Sequence, residues 1–173
     1  ADPAQRKEVV RVEATKAAAD QGGLILEDEE LVAINANLVE WPSAVCGKFD
    51  DEFMKVPDAA LITSMKEHQK YFAVIDEAGK LRPNFVAINN TLTRDPEVVR
   101  QGHEKVIRAR LADAAFFVVE DAKKPLSERV DDLKDIVYHK LLGTSFEKME
   151  RFKSLAGWLA DGIIPSAKAD AME

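Results

Sequence analysis

Two stretches of this 173-residue chain have the residue types and spacing for ligand chemistry: Lys66-Glu67-His68-Gln69-Lys70-Tyr71-Phe72, and the run from Val106 to Phe117 that contains Arg108 and Arg110. Each sets cationic side chains directly against aromatic and apolar anchors, which is how a folded surface fixes cations in place. Between Arg94 and Arg110 five Arg or Lys face three Asp or Glu, in a chain whose net charge is -7. That balance argues against a general polyanion binder, so any contact with nucleic acid must be local. Lys66, Lys70, Arg100, Lys105, Arg108 and Arg110 are the candidate RNA-binding residues, the arginines being suited to bidentate pairing with phosphate. The competing reading pairs Arg100 and Arg108 with Glu104, and Arg110 with Asp113, as internal salt bridges.

Other chemistries find little support. His68, His103 and His139 are scattered, with no Ser-His-Asp or Cys-His arrangement and no metal-ligand spacing, so no residue is assigned as catalytic or metal-binding. Cys46, the one cysteine, reads as a buried, inert thiol. Tyr71 has the choice of stacking on a base or packing beside Phe72. Asn84, Asn89 and Asn90 have the choice of bonding ligand groups or closing turns and strand ends, the second being favoured, and Trp41 and Trp158 read as core or interface anchors. No apolar run approaches the roughly 18 residues of a membrane span, and no signal peptide is evident, so a cytoplasmic location is expected.

The elements that must position these residues are legible from caps and periodicity. Ala4 to Asp20 reads as an amphipathic helix ended by Gly22-Gly23. Asp28 opens a second helix that must close before Trp41-Pro42. Ser43 to Phe49 reads as a strand, and Pro57 starts a third helix reaching about His68. Were that helix to persist, Lys66 and Lys70 would project together. Tyr71 to Ile75 and Leu81 to Asn89 form an antiparallel hairpin around Asp76-Glu77-Ala78-Gly79. Asp95-Pro96-Glu97 begins a helix running to about Val118, with Arg100, Glu104 and Arg108 in one row. Ser127 to Leu142 reads as a further helix, with Asp131, Asp132 and Asp135 on its solvated face. Thr144 then caps a last amphipathic helix from Ser145 to about Asp161, and Gly162 to Glu173 reads as a polar, frayed run. The expected fold class is α+β: a small mixed or antiparallel sheet packed with helices, plus amphipathic helices at both ends.

An ordered set of landmarks resembles the beta subunit of bacterial heterotetrameric glycyl-tRNA synthetase. It comprises Leu38-Val39-Glu40-Trp41-Pro42, Val56-Pro57, Met65 to Phe72, Gly79-Lys80-Leu81, Pro83-Asn84-Phe85, Asp95-Pro96 and Gly102. It continues through Glu104-Lys105-Val106-Ile107-Arg108, Arg110-Leu111-Ala112-Asp113-Ala114, Phe116-Phe117, Gly143-Thr144 and Leu155-Ala156-Gly157-Trp158. The resemblance covers roughly residues 10 to 160. It implies an interior piece of a longer subunit, which would account for the absent initiator Met: residues 1–142 as an α+β core similar to the editing module of the phenylalanyl-tRNA synthetase beta chain, and residues 143–173 as the truncated start of a helical HD-type domain. It implies the alpha subunit, glycine tRNA and other domains of the same beta subunit as partners. ATP with Mg would be used in the alpha subunit, with no cofactor in this piece. The function implied is tRNA binding and scaffolding in protein biosynthesis.

Two alternatives accompany that reading, an editing-like hydrolase for mischarged tRNA and a purely structural spacer. Editing serves pockets that cannot reject a smaller side chain, and a glycine pocket excludes every competitor by steric clash. One departure from the family bears on the site. Where relatives usually have Pro between the two arginines this chain has Ala109, and proline within a helix breaks it at a cost of about 3 kcal/mol. Alanine lets the helix continue and so resets the directions of Arg108 and Arg110.

Overall fold

A computed structural model describes residues 2–92 and 94–163. It has helices α1 (Pro3–Ala19), α2 (Glu29–Leu38), α3 (Asp58–Thr63), α4 (Pro96–Ala122) and α5 (Ser145–Ile163). Its strands are β1 (Leu24–Ile25), β2 (Ser43–Lys48), β3 (Phe72–Ile75), β4 (Leu81–Asn89), β5 (Val137–His139) and β6 (Gly143–Thr144). The chain falls into two compact units, residues 1–119 and 120–173, so the break expected at Gly143 lies inside the second unit.

In the first unit β1-β3-β4-β2 form a four-stranded sheet with every pairing antiparallel. The period of two along each strand sends successive side chains to opposite faces. Phe72, Val74 and Val86 therefore meet Val10, Ala14 and Ala18 of α1 and Leu31, Val32 and Ala36 of α2. Ala73, Phe85 and Ala87 meet Phe53, Leu61, Met65, and Ile107 and Leu111 of α4. The result is an α+β domain with helices over both faces of an antiparallel sheet, as the residue pattern implied. The expected hairpin is present: Asp76 Oδ1 accepts from the N–H groups of Ala78 and Lys80, both at 2.9 Å, and Gly79 supplies φ +79°.

The local start signals hold. Asp28 Oδ1 accepts from Leu31 N–H at 2.9 Å, and Asp95 Oδ1 from Glu97 N–H at 3.1 Å. Thr144 and Glu147 form a capping box, Thr144 N–H donating to Glu147 Oε2 at 2.7 Å and Glu147 N–H to Thr144 Oγ1 at 3.2 Å. A Cβ at Gly143 would lie 1.8 Å from that Oε2, so only glycine lets the carboxylate fold back.

Several expectations are corrected. The third helix is α only to Thr63; Ser64–Gln69 is a π turn, and Lys70 is left-handed at φ 59°. Tyr71 N–H bonds Met65 C=O and Lys70 N–H bonds Lys66 C=O, so the wide turn closes through left-handed Lys70, and Lys66 and Lys70 go to different partners. The helix expected over Ser127–Leu142 is absent. Two 3-10 turns, Leu126–Arg129 and Asp131–Lys134, lead into β5, which pairs with β6. Arg129 donates to the carbonyls of Glu120 and Lys124 and Asp132 pairs with Lys124, which ends α4 with a folded-back loop. The Ile136-Val137-Tyr138 run then takes the extended conformation its β-branched and aromatic residues favour. Asp131 and Asp132 sit in that loop, on no helix face. Of the two places read for Trp41 and Trp158, core or interface, exposures of 62% and 71% exclude the core. Gly162 belongs to α5, whereas residues 164–173 of the expected frayed run lie outside the described residues.

Candidate nucleic-acid interface

The six candidate cations differ sharply in what they touch. Lys66 Nζ lies 2.7 Å from Asp28 Oδ2 and 2.9 Å from Glu30 Oε2, tying the π turn to the start of α2. Burial pulls the Asp28 carboxyl up, but the Lys66 bond, the Leu31 N–H and the Lys66 charge outweigh it and hold the group below its ordinary value. Lys70 Nζ donates to Glu67 C=O at 2.9 Å, while its own carbonyl accepts from buried Asn35 Nδ2 at 3.0 Å. These two lysines brace the fold.

The remaining four project from α4, which is uninterrupted through Ala109. Arg100 is held by Glu97 and Glu104, with Nη1 2.8 Å from Glu104 Oε1. Arg108 does not pair with Glu104. It forms a two-pronged contact with Asp50, Nε to Oδ2 at 2.8 Å and Nη2 to Oδ1 at 3.3 Å. Arg110 Nη2 is 3.5 Å from Asp113 Oδ2, a loose and exposed pair. Lys105 is exposed and has no ion pair among the described residues.

Arg100 and Arg108 meet at a polar groove of about 570 Å³ at one end of the sheet, together with Lys48, Arg82, Asn84, Glu104, Asp50 and Asp51. Glu104 organises it, since Oε1 accepts from both Arg100 and the Lys48 N–H, the latter at 2.9 Å. That joins α4 to the end of β2. Gly47 permits the approach: a Cβ there would lie 2.5 Å from the Phe85 ring and 3.2 Å from Glu104 Cγ. Lys48, Arg82 and Asp50 carried no signal in the sequence, and for Asn84 the turn reading was favoured over ligand bonding. Arg82 and Asn84 lie where the β3–β4 pairing shifts register, between Leu81 and Phe85, which no local pattern announces.

Near the same helix Tyr71, His103 and Asn89 form a connected polar set. Tyr71 hydroxyl donates to His103 Nδ1 at 2.7 Å, and His103 Nε2–H donates to Asn89 Oδ1 at 2.9 Å, the tautomer that satisfies both contacts. Burial lowers the His103 pKa, so the ring is neutral, and pushes the Tyr71 hydroxyl up to about 12. Tyr71 is stacked on Phe85 with centroids 4.8 Å apart and is 6% exposed, so it packs and offers no face to a base. Half-buried Cys46 is likewise raised by burial, to about 11, so its thiol is protonated. No group of three or more His, Cys, Asp or Glu among the described residues is arranged to hold a metal ion.

These side chains sit on an α+β module with helices over both faces of an antiparallel sheet, and five of the six candidate cations are held by carboxylates or carbonyls of the same unit. The chain belongs to the glycyl-tRNA synthetase beta subunit family, whose model matches residues 1–173. It is 55% identical over 166 residues to the glycine–tRNA ligase beta subunit of Syntrophus aciditrophicus (strain SB), covering 96% of this chain and 24% of that protein. The corresponding subunit of Geobacter sulfurreducens is 55% identical over 168 residues, 97% of this chain and 24% of its own length. That of Geotalea daltonii is 53% identical over 172 residues, 99% of this chain and 25% of the relative. The chain thus spans about a quarter of the length of the curated relatives it matches. No helix among the described residues is long and apolar enough to cross a membrane.

Proposed function

We propose that this region is a noncatalytic part of a glycine–tRNA ligase, helping to hold glycine tRNA and the neighbouring protein while the alpha subunit carries out the ATP- and Mg-dependent attachment of glycine. The observation that carries the RNA-binding half is Lys105, an exposed cation with no ion pair among the described residues, on an uninterrupted helix that also presents the half-exposed Arg108 and Arg110. In a chain of net charge -7 such an edge is a local electrostatic footprint. The scaffolding half is supported by α5, which leaves Phe152, Leu155 and Trp158 between 53% and 71% exposed. A surface of that kind is completed by neighbouring protein. The editing alternative is opposed by the protonated Cys46 thiol and Tyr71 hydroxyl, neither of them an activated nucleophile.

The test is charge reversal outside the groove, Lys105→Glu with Arg110→Glu, in the full alpha/beta assembly. The apparent tRNA affinity is expected to fall and the dependence of binding on salt to become shallower. Unchanged affinity and unchanged salt slope would leave the spacer reading in place.

A further inference from the structure

The groove at the end of β2 and β4 is positively charged in a specific way. Of its four cations, Arg100 and Arg108 are each matched by carboxylates. Arg82 is not: its guanidinium donates to the Gly22 carbonyl, a neutral acceptor, and has no ion pair among the described residues. Gly22 is left-handed at φ +69°, a conformation that glycine adopts without strain, and this turn presents the carbonyl to Arg82. Lys48 is the other unmatched cation, held by its backbone N–H to Glu104 while its ammonium has no partner among the described residues. Asn84, only 2% exposed, also lines the groove, its Nδ2 reaching the Gly47 carbonyl at a long 3.5 Å and its Oδ1 accepting no hydrogen bond among the described residues.

We propose that this groove binds a nucleotide through its phosphate, with Arg82 and Lys48 as the anion-holding residues. Arg82 supplies a planar fork already oriented by Gly22, the geometry that matches phosphate oxygens. Arg100 and Arg108 set the walls, their charges neutralised by Glu104 and Asp50. Asp51 and the Asn84 amide oxygen are acceptors in the same groove, and they select a ligand that carries hydrogen-bond donors beside its phosphate, as ribose hydroxyls and base amino groups do, over a bare anion. A volume of about 570 Å³ accommodates a single unstacked nucleotide. The same chemistry comes from a residue of an RNA chain or from a free nucleotide. The RNA source rests on the function proposed above, and the free-nucleotide source does not.

The experiment uses the full alpha/beta assembly carrying Arg82→Gln, Lys48→Gln, or both, alongside the Lys105→Glu/Arg110→Glu form. Glycine tRNA binding is measured as a function of salt, and cytidine 5′-monophosphate binding by calorimetry. If the nucleotide belongs to RNA, each groove substitution weakens tRNA binding about three- to tenfold at low salt, and the double form flattens the log–log salt slope by about 0.7 to 0.9, one phosphate's worth. Arg82→Lys keeps part of that affinity, because it restores charge without the fork. If the source is free nucleotide, cytidine monophosphate binding is lost in the groove variants while tRNA binding is unchanged. The proposal is overturned if neither ligand responds to Arg82→Gln or to Lys48→Gln, the latter at an exposed position where misfolding is no explanation. A tRNA response to Lys105→Glu/Arg110→Glu alone overturns the groove and leaves the broader function standing. A tRNA response to the groove variants alone keeps the groove and removes the Lys105–Arg110 edge as the carrier of tRNA binding.

Discussion

Tyr71→Phe isolates one hydrogen bond. Phenylalanine keeps the ring stacked on Phe85 and changes little volume, so what is lost is the hydroxyl donating to His103 Nδ1 at 2.7 Å. His103 Nε2–H remains committed to Asn89, so the ring cannot turn to recover a partner for Nδ1 without breaking its other bond. A partly buried acceptor left unmatched costs about 1–3 kcal/mol. The consequence is read as faster hydrogen exchange at core amides such as Phe85 and Val86, whose opening reports unfolding of the first unit. A loss of 1–3 kcal/mol corresponds to roughly 5- to 150-fold less protection, since 1.4 kcal/mol is tenfold. The same set predicts the pH response. Burial lowers the folded His103 pKa below its ordinary 6.5, so on acidification the unfolded chain takes up the proton first. Stability is therefore full above about pH 6.5 and is lost as pH falls from there toward the folded value. The carboxyls held low, Asp28, Glu29, Glu97 and Asp131, start from ordinary values of 3.8 to 4.5, so a comparison of pH 7.5 with pH 5.5 reads His103. Protection in Tyr71→Phe within twofold of the parent, or stability that rises on going to pH 5.5, would refute the assigned bond and tautomer.

Ala109→Pro is expected to cost about 3 kcal/mol by removing a helical hydrogen bond within α4; retention of the parent melting temperature would show that this helix bends as the family's usual proline implies. Gly47→Ala drives a methyl to within 2.5 Å of the fully buried Phe85 ring, and overpacking of this kind costs about 1–3 kcal/mol, read as a lower urea midpoint. An unchanged midpoint would mean that β2 shifts away from β4 without penalty.

What the sequence made legible was local. Asp28, Asp95 and Thr144 act through bonds to N–H groups two or three residues away, and Asp76-Gly79 closes a turn on itself, so each could be read from a short window. The stretch 127–142 failed for the complementary reason. Its apolar spacing reads as helical, but the conformation is decided by Arg129 reaching back to α4 carbonyls and by β5 pairing with β6. The groove was hidden for the same reason on a larger scale: Arg108 meets Asp50 58 residues away, Glu104 meets the Lys48 N–H 56 away, and Arg82 meets Gly22 60 away. Of the alternatives weighed for the arginines, Arg100 with Glu104 and Arg110 with Asp113 were visible as helical neighbours, whereas Asp50 was not.

The uninterrupted α4 also determines which candidate cations can act together. At 3.6 residues per turn, positions 108 and 110 lie about 200° apart around the helix, so Arg108 and Arg110 cannot form one cationic site while Ala109 keeps the helix straight. Lys105 and Arg108 are about 60° apart, and Glu104 and Arg108 about 40°. The groove flank of α4 therefore carries Glu104, Arg108 and, further round toward solvent, Lys105, while Arg110 occupies the opposite flank beside Asp113. On the RNA-binding reading proposed above, a strand along the groove side would meet Lys105 together with Lys48 and Arg82 and pass Arg110 by. When the two reversals are separated, Lys105→Glu should account for most of the lost tRNA affinity. An equal or larger loss from Arg110→Glu would place the RNA on the other side of the helix.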